Sequence, residues 1–141
     1  MPSNSDGTQL DRIYKNTYTV IVASELKAIR WMGSSRRDLR TFPQQTRRDI
    51  GKALYAAQQG ETDPAAKPLK GFGGTRVMEI VDRYETNAYR AVYTAQFAGM
   101  IYVLHAFQKK STRGIATPKK EIELIRRRLV EAERLDRERQ T

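Results

Sequence analysis

Two neighbouring runs hold the side chains best suited to chemistry. Residues 88–97, Ala-Tyr-Arg-Ala-Val-Tyr-Thr-Ala-Gln-Phe, carry Arg90. Residues 100–110, Met-Ile-Tyr-Val-Leu-His-Ala-Phe-Gln-Lys-Lys, carry the single histidine, His105, followed by Phe107, Lys109 and Lys110. A guanidinium holds a phosphate through two parallel N–H bonds. An imidazole moves protons near neutral pH, ammonium groups neutralise phosphates, and a phenyl ring stacks on a base. Upstream, Glu79 is a carboxylate able to act as general base toward a ribose 2′-hydroxyl. Lys67 and Lys70 flank a loop containing Gly71, Gly73 and Gly74, and Arg76 follows it. That loop is no nucleotide-binding P-loop, because no Gly-Lys-Ser/Thr follows it, so it reads as a tight turn. Together these groups make RNA the first substrate to consider. Each also has a plain structural reading: a solvated arginine, a satisfied core histidine, solubilising lysines, a phenylalanine closing the core, and a Glu79 salt bridge to Arg90 or Arg76.

The elements that must position them follow from periodicity. Residues 77–84, 88–97 and 100–109 read as three strands joined by turns short enough for hairpins, hence an antiparallel meander. On the second strand, Arg90, Val92, Thr94 and Gln96 share one face, and Tyr89, Ala91, Tyr93, Ala95 and Phe97 share the other. The second set is the more apolar, which directs Arg90 to an open face. On the third strand, strict alternation groups Ile101, Val103, His105, Phe107 and Lys109 on one face. Before the meander, residues 27–32 read as a strand closed by Gly33, and Ser35 with Asp38 fits a capping box. Pro43 suits the first turn of a second helix that runs to Gln59, with Ile50, Ala53, Leu54 and Ala57 as its buried stripe and Gly60 as its C-cap. After the meander, Thr117-Pro118 opens a last helix as N-cap and first turn, and Ile122, Ile125, Leu129 and Ala132 line one face. A β-prone run at 18–22 falls in a polar N-terminal extension, residues 1–25, which leaves 26–141 as the main domain. The expected fold class is α+β: a small mixed four-stranded sheet with an N-terminal helical hairpin and a C-terminal helix. With the helices on one side of the sheet, its other side would be free for ligands.

Composition narrows the partners. The chain has 141 residues, a formal net charge of +10, no cysteine and 39% hydrophobic residues. One domain fits that length. The charge favours a polyanion: nucleic acid, an anionic membrane surface or an acidic protein. Disulfide and thiolate chemistry are excluded, and one histidine rules out a histidine-rich metal site within one chain. No apolar run approaches the ~20 residues of a membrane span, and the N-terminus lacks a signal peptide's basic start and apolar core. A cytoplasmic location is the default.

Several segments, in order, resemble the RelE/ParE toxin superfamily of type II toxin–antitoxin systems, in its HigB-like, phage-derived branch. They are Gly33-Ser34-Ser35-Arg36-Arg37-Asp38-Leu39-Arg40-Thr41-Phe42-Pro43, Lys67-Pro68-Leu69-Lys70-Gly71-Phe72, Val77-Met78-Glu79-Ile80, Tyr89-Arg90-Ala91-Val92-Tyr93, the run from Ile101 to Ser111, and Thr117-Pro118-Lys119. The resemblance implies a RelE-like, microbial RNase-like fold. It also implies an endoribonuclease that cuts messenger RNA, usually at the ribosome, without metal or other cofactor. A helix-turn-helix, HigA-like antitoxin would neutralise it and reach operator DNA on its behalf. On this reading Arg90, His105, Lys109, Lys110 and Glu79 are the catalytic candidates, and Lys67, Lys70, Arg76 and Phe107 the RNA-binding ones. The chain departs from the family where Glu79-Ile80-Val81 replaces a frequent Glu-Leu-Arg, and where Lys109 and Lys110 stand in place of an arginine. Two other expectations remain: a gyrase-directed toxin, since the superfamily includes gyrase poisons, and a non-catalytic basic module that binds RNA or the ribosome.

Overall fold

The computed structural model describes residues 26–109 and 117–141. The extension 1–25, its β-prone run and Lys110 lie outside the described residues. In chain order the elements are β1 (Ala28–Trp31), α1 (Ser35–Arg40), α2 (Gln44–Gln58), β2 (Ala66–Pro68), β3 (Val77–Tyr84), β4 (Asn87–Thr94), β5 (Met100–Lys109) and α3 (Lys119–Gln140). The class is α+β, as expected. The strands form one sheet in the order β1-β5-β4-β3-β2. β1 runs parallel to β5, and the other pairs are antiparallel. The sheet has five strands rather than four, because the segment before the glycine-rich loop pairs with β3, with Lys67 opposite Glu79. No helix among the described residues is long and apolar enough to cross a membrane.

Both faces of the sheet are covered, which corrects the expected open face. One face carries Met78, Ile80, Tyr89, Ala91, Tyr93, Ile101, Val103 and Ala106 in a cluster with Ile50, Ala53, Leu54 and Ala57 of α2. The other carries Val77, Val92, Tyr102, Leu104 and Phe107 in a cluster with Ile125 and Ala132 of α3, and Ile122 and Leu129 pack against it. The cause is hydrophobic: α3 has an apolar stripe, the second sheet face is apolar too, and joining them removes both from water. Tyr102 fastens the far end of α3 by donating its hydroxyl proton to Asp136 Oδ1 at 3.0 Å.

A bulge resets the faces of β5. Val92 lies opposite His105, but the next residue, Tyr93, lies opposite Val103, so Leu104 is the extra residue. Strict alternation therefore fails at this point. His105 and Phe107 turn toward α3 with Tyr102 and Leu104, whereas Ile101 and Val103 face α2.

The helix starts also differ from expectation. Ser34, not Ser35, precedes α1, and its hydroxyl donates to Asp38 Oδ2 at 2.7 Å. Ser35 is buried and donates to the Val103 carbonyl at 3.1 Å, tying α1 to β5. Pro43 and Pro118 stand at the N-cap positions of α2 and α3, one residue before the expected first turn. Thr117 does not cap α3; its hydroxyl is used elsewhere, as described below. Gly60 closes α2 as expected, with φ of +82° and its N–H donating to the Ala57 carbonyl at 3.0 Å.

Where α2 meets β3, two carboxyl groups approach each other. Burial pushes the Asp82 carboxyl above the usual carboxylate range, the neighbouring Asp49 carboxyl adds to the shift, and Thr46 opposes it. Among the described residues Asp82 Oδ2 is buried without a hydrogen-bond partner. A raised folded-state value means that stability is fully present below the unfolded value and is lost as pH rises through the folded one. Asp82→Asn should therefore raise the thermal midpoint at neutral pH. A gain of roughly 1 kcal/mol, the order for relieving an unsatisfied buried oxygen, corresponds to about 3 °C. Melting curves of both proteins from acidic to neutral pH check this: the gain should shrink as the wild-type carboxyl becomes protonated.

Candidate functional site

The α3-facing side of the meander gathers the charged groups. On β3 and β4, Glu79 lies opposite Val92 and Arg90 opposite Val81, so the two side chains meet on a diagonal of one face. Arg90 Nη1 donates to Glu79 Oε2 at 2.5 Å, and both side chains are 4% exposed. Thr117, just before α3, donates its hydroxyl proton to the same Glu79 oxygen at 3.0 Å. Arg90 is thus buried and paired, not displayed on an open face. The salt-bridge reading of Glu79 is the one observed, with Arg90 as its partner.

A cleft of about 410 Å³ opens beside this pair, lined by Lys67, Lys70, Leu69, Glu79, Thr117 and Ile122, among others. Because Lys67 lies directly opposite Glu79 across β2 and β3, the two side chains leave the sheet on the same side. Lys67 and Lys70 are exposed and form a basic rim above a carboxylate floor. Lys109 closes the far end of β5, opposite Ala88. Burial pushes its ammonium below the usual lysine range; Arg90 and Arg83 push the same way, and Glu79 opposes them. Lys67, Lys70, Lys109 and Arg90 are four cations around the single Glu79 carboxylate, an imbalance suited to an anion. A depressed lysine is also a better proton donor near neutral pH than an ordinary one.

His105 belongs to a second cluster. It is buried, and its Nε2 lies 2.7 Å from Glu121 Oε1 of α3. Arg128 Nη1 lies 3.4 Å from His105 Nδ1 and also donates to the Leu104 carbonyl at 2.9 Å. Since arginine only donates, Nδ1 accepts, and Nε2–H faces Glu121. Phe107 stacks on the imidazole, with centroids 4.8 Å apart, and joins the apolar cluster. In the sheet register Val92 stands between Glu79 and His105. Two strand spacings, roughly 10 Å, thus separate their backbones. His105 is held by Glu121 and Arg128, with Phe107 stacked on it, so both belong to the cluster under α3 rather than to the lining of the cleft. Arg76 is also apart from the cleft lining: its Nε donates to Gln96 Oε1 at 3.1 Å, and its guanidinium lies 3.8 Å from Glu133.

Several participants were not legible in the sequence. Thr117 is expected only as a helix cap, and Glu121 and Arg128 carry no expectation at all. Arg126 lies over the Phe72 ring at 4.5 Å and donates to the Gly71 carbonyl at 3.3 Å, fastening the glycine-rich loop to α3. No local pattern marks these residues, because their partners lie far away in sequence. On the α2 side, a second cleft of about 440 Å³ is lined by Tyr93, Met78, Ile101 and Ala57, among others. Burial, with Asp63 adding, pushes the Tyr93 phenol up to about 12, so it remains protonated at neutral pH.

The model of the family described as Phage derived protein Gp49-like matches residues 37–130. The matched span runs from α1 into α3 and takes in the cleft and both charged clusters. Among solved structures, the chain is similar to the toxin–antitoxin complex RelBE2 from Mycobacterium tuberculosis, at 18% identity over 61% of this chain and 94% of that one, with a TM-score of 0.39. No curated protein matches the sequence.

The buried pair has a measurable consequence. Arg90→Ala leaves Glu79 buried without its cation, which should cost about 3–5 kcal/mol. Replacing both, as Glu79→Leu with Arg90→Met, should cost less than Arg90→Ala alone. Denaturant unfolding of the three proteins checks this, and equal losses would show that the pairing contributes little.

Proposed function

The chain belongs to the phage-derived Gp49-like family, and on that premise we propose that it is the toxin of a type II toxin–antitoxin pair and that it cuts messenger RNA. The carrying observation is one cleft in which Lys67 and Lys70 stand above Glu79, with Arg90 and Lys109 beside it. A nuclease of this kind must hold a phosphate, take a proton from one oxygen and give one to another. The lysine rim draws in the backbone, and the net positive surroundings stabilise the charge that develops on phosphorus-bound oxygens.

In the proposed step, Glu79 takes the proton of a ribose 2′-hydroxyl, and that oxygen attacks the adjacent phosphorus. The phosphorus–5′-oxygen bond breaks, and the departing oxygen takes a proton from Lys109. The products are a 2′,3′-cyclic phosphate and a free 5′-hydroxyl. Glu79 can act as base only if Arg90 and Thr117 release part of their hold on it, which an incoming phosphate encourages by competing for Arg90. Correct alignment of the 2′-oxygen supplies much of the rate, and a ribosome presenting bent messenger would provide it. A helix-turn-helix antitoxin of the HigA type would silence the toxin by covering the lysine rim, and the pair would act in the cytoplasm.

The test avoids the buried pair, whose loss destabilises the fold whatever its role. Lys67→Ala with Lys70→Ala changes only exposed side chains, so stability should move by about 0.5 kcal/mol per site at most. Loss of two phosphate contacts should nonetheless slow cleavage on the order of 100-fold or more. Growth arrest on expression, with primer extension on cellular messengers, provides the readout. Intact messengers with broken chromosomal DNA under the wild-type protein would overturn the nuclease reading in favour of a gyrase target.

A further inference from the structure

The outward face of α2 lies on the side of the sheet opposite α3, away from the Glu79 cleft. Ile50, Ala53, Leu54 and Ala57 point into the core, and helical spacing places Gln44, Arg48, Gly51, Lys52 and Tyr55 on the reverse side. Three features there have no explanation within the fold. Tyr55 is a large ring left 52% exposed. Gly51 sits mid-helix, where glycine weakens a helix relative to alanine. A Cβ built on it meets nothing within 4 Å, so no internal contact requires its small size. Arg48 and Lys52 are exposed on either side of that bare backbone.

The charge of the two helices is one-sided. Arg47 of α2 is exposed as well, and so are Arg36, Arg37 and Arg40 of α1. The two acids of these helices are engaged: Asp38 accepts from Ser34, and Asp49 accepts from Gln45 and adjoins Asp82. A second copy of so basic a face would be repelled, whereas a polyanion is attracted. An aromatic ring one turn beyond two cations, next to a helix surface lacking one side chain, matches what a single nucleic-acid strand requires. Its phosphates pair with Arg48 and Lys52, its sugar approaches Gly51, and a base stacks on Tyr55.

We infer that the outward face of α2, formed by Arg48, Gly51, Lys52 and Tyr55, is a second RNA-binding surface, separate from the cleft. The choice of RNA over DNA rests on the proposed function; the surface itself does not. The molecule would thus grip RNA at two places, one for reaction and one for anchoring.

The test uses the full chain and a short fluorescent oligoribonucleotide with 2′-O-methyl riboses, which cannot be cleaved by 2′-hydroxyl attack, so binding is read without turnover. Arg48→Ala with Lys52→Ala should weaken binding. It should also lower the slope of log affinity against log salt by about 1.4, since each single-strand phosphate contact contributes about 0.7. Tyr55→Ala should cost about tenfold in affinity. Gly51→Ala is the sharpest variant: it should raise the thermal midpoint yet weaken RNA binding, because the added methyl helps the helix and holds the strand off. Wild-type affinity and salt slope in the Arg48, Lys52 double variant would overturn the inference. So would a Gly51→Ala protein that binds RNA as tightly as the parent, and so would variants that keep RNA binding while losing a co-expressed acidic protein. If the wild type cleaves no messenger but these variants still lose RNA, the surface stands and the nuclease reading falls. If Lys67→Ala with Lys70→Ala abolishes arrest while the α2 variants bind normally, the reverse holds.

Discussion

The apolar stripe of α3 against the second face of the sheet is the contact on which the rest of this structure depends. Ile125 and Ala132 are fully buried in one cluster with Tyr102, Leu104 and Phe107. Without that helix, half of the sheet's apolar surface would face water, and the Glu79–Arg90 pair would be an ordinary surface salt bridge. With it, the described residues form three layers, and the cleft where β2, the loop after it and the start of α3 meet opens onto Glu79.

Covering charges in this way raises the energetic stakes. A buried carboxylate and guanidinium lose hydration that their mutual attraction offsets only with close geometry and further hydrogen bonds. Here the geometry is close, and Thr117 supplies a further bond. The same desolvation strengthens every local interaction with an anion that enters, since the effective dielectric is lower than in water. Lys109 shows the effect, its ammonium being pushed down by burial and by neighbouring arginines. A phosphate at this point would relieve repulsion among Arg83, Arg90 and Lys109 and compete with Glu79 for Arg90. The pairing that stabilises the folded state is therefore also the one a substrate would rearrange.

The two sides of the sheet differ in what they offer. The α3 side holds its polar groups in contacts that cross the whole chain, such as His105 with Glu121 and Arg128 with Ser34. The α2 side is apolar within and basic without, with Arg48 and Lys52 exposed on its outer surface.

Sequence alone determined the elements other than β2, whose three residues show no alternation and are a strand only because they pair with β3. Alternation and short turns marked the meander, three- and four-residue spacing marked the stripes of α2 and α3, and Gly60 marked a helix end, all because local geometry imposes these periods directly. It also identified Lys67, Lys70, Glu79, Arg90 and Lys109 as a chemically plausible set. Tertiary structure alone decided which of them meet. The bulge at Leu104 turned His105 and Phe107 toward α3, a change of face that alternation by itself does not reveal. The side on which α3 packs decided that Arg90 is buried and that Thr117 serves Glu79 rather than its own helix. Those outcomes depend on the competition between two apolar faces for one helix stripe and on contacts between residues as distant as Ser34 and Arg128. No local pattern in the chain encodes them, because their energies exist only once the layers have closed.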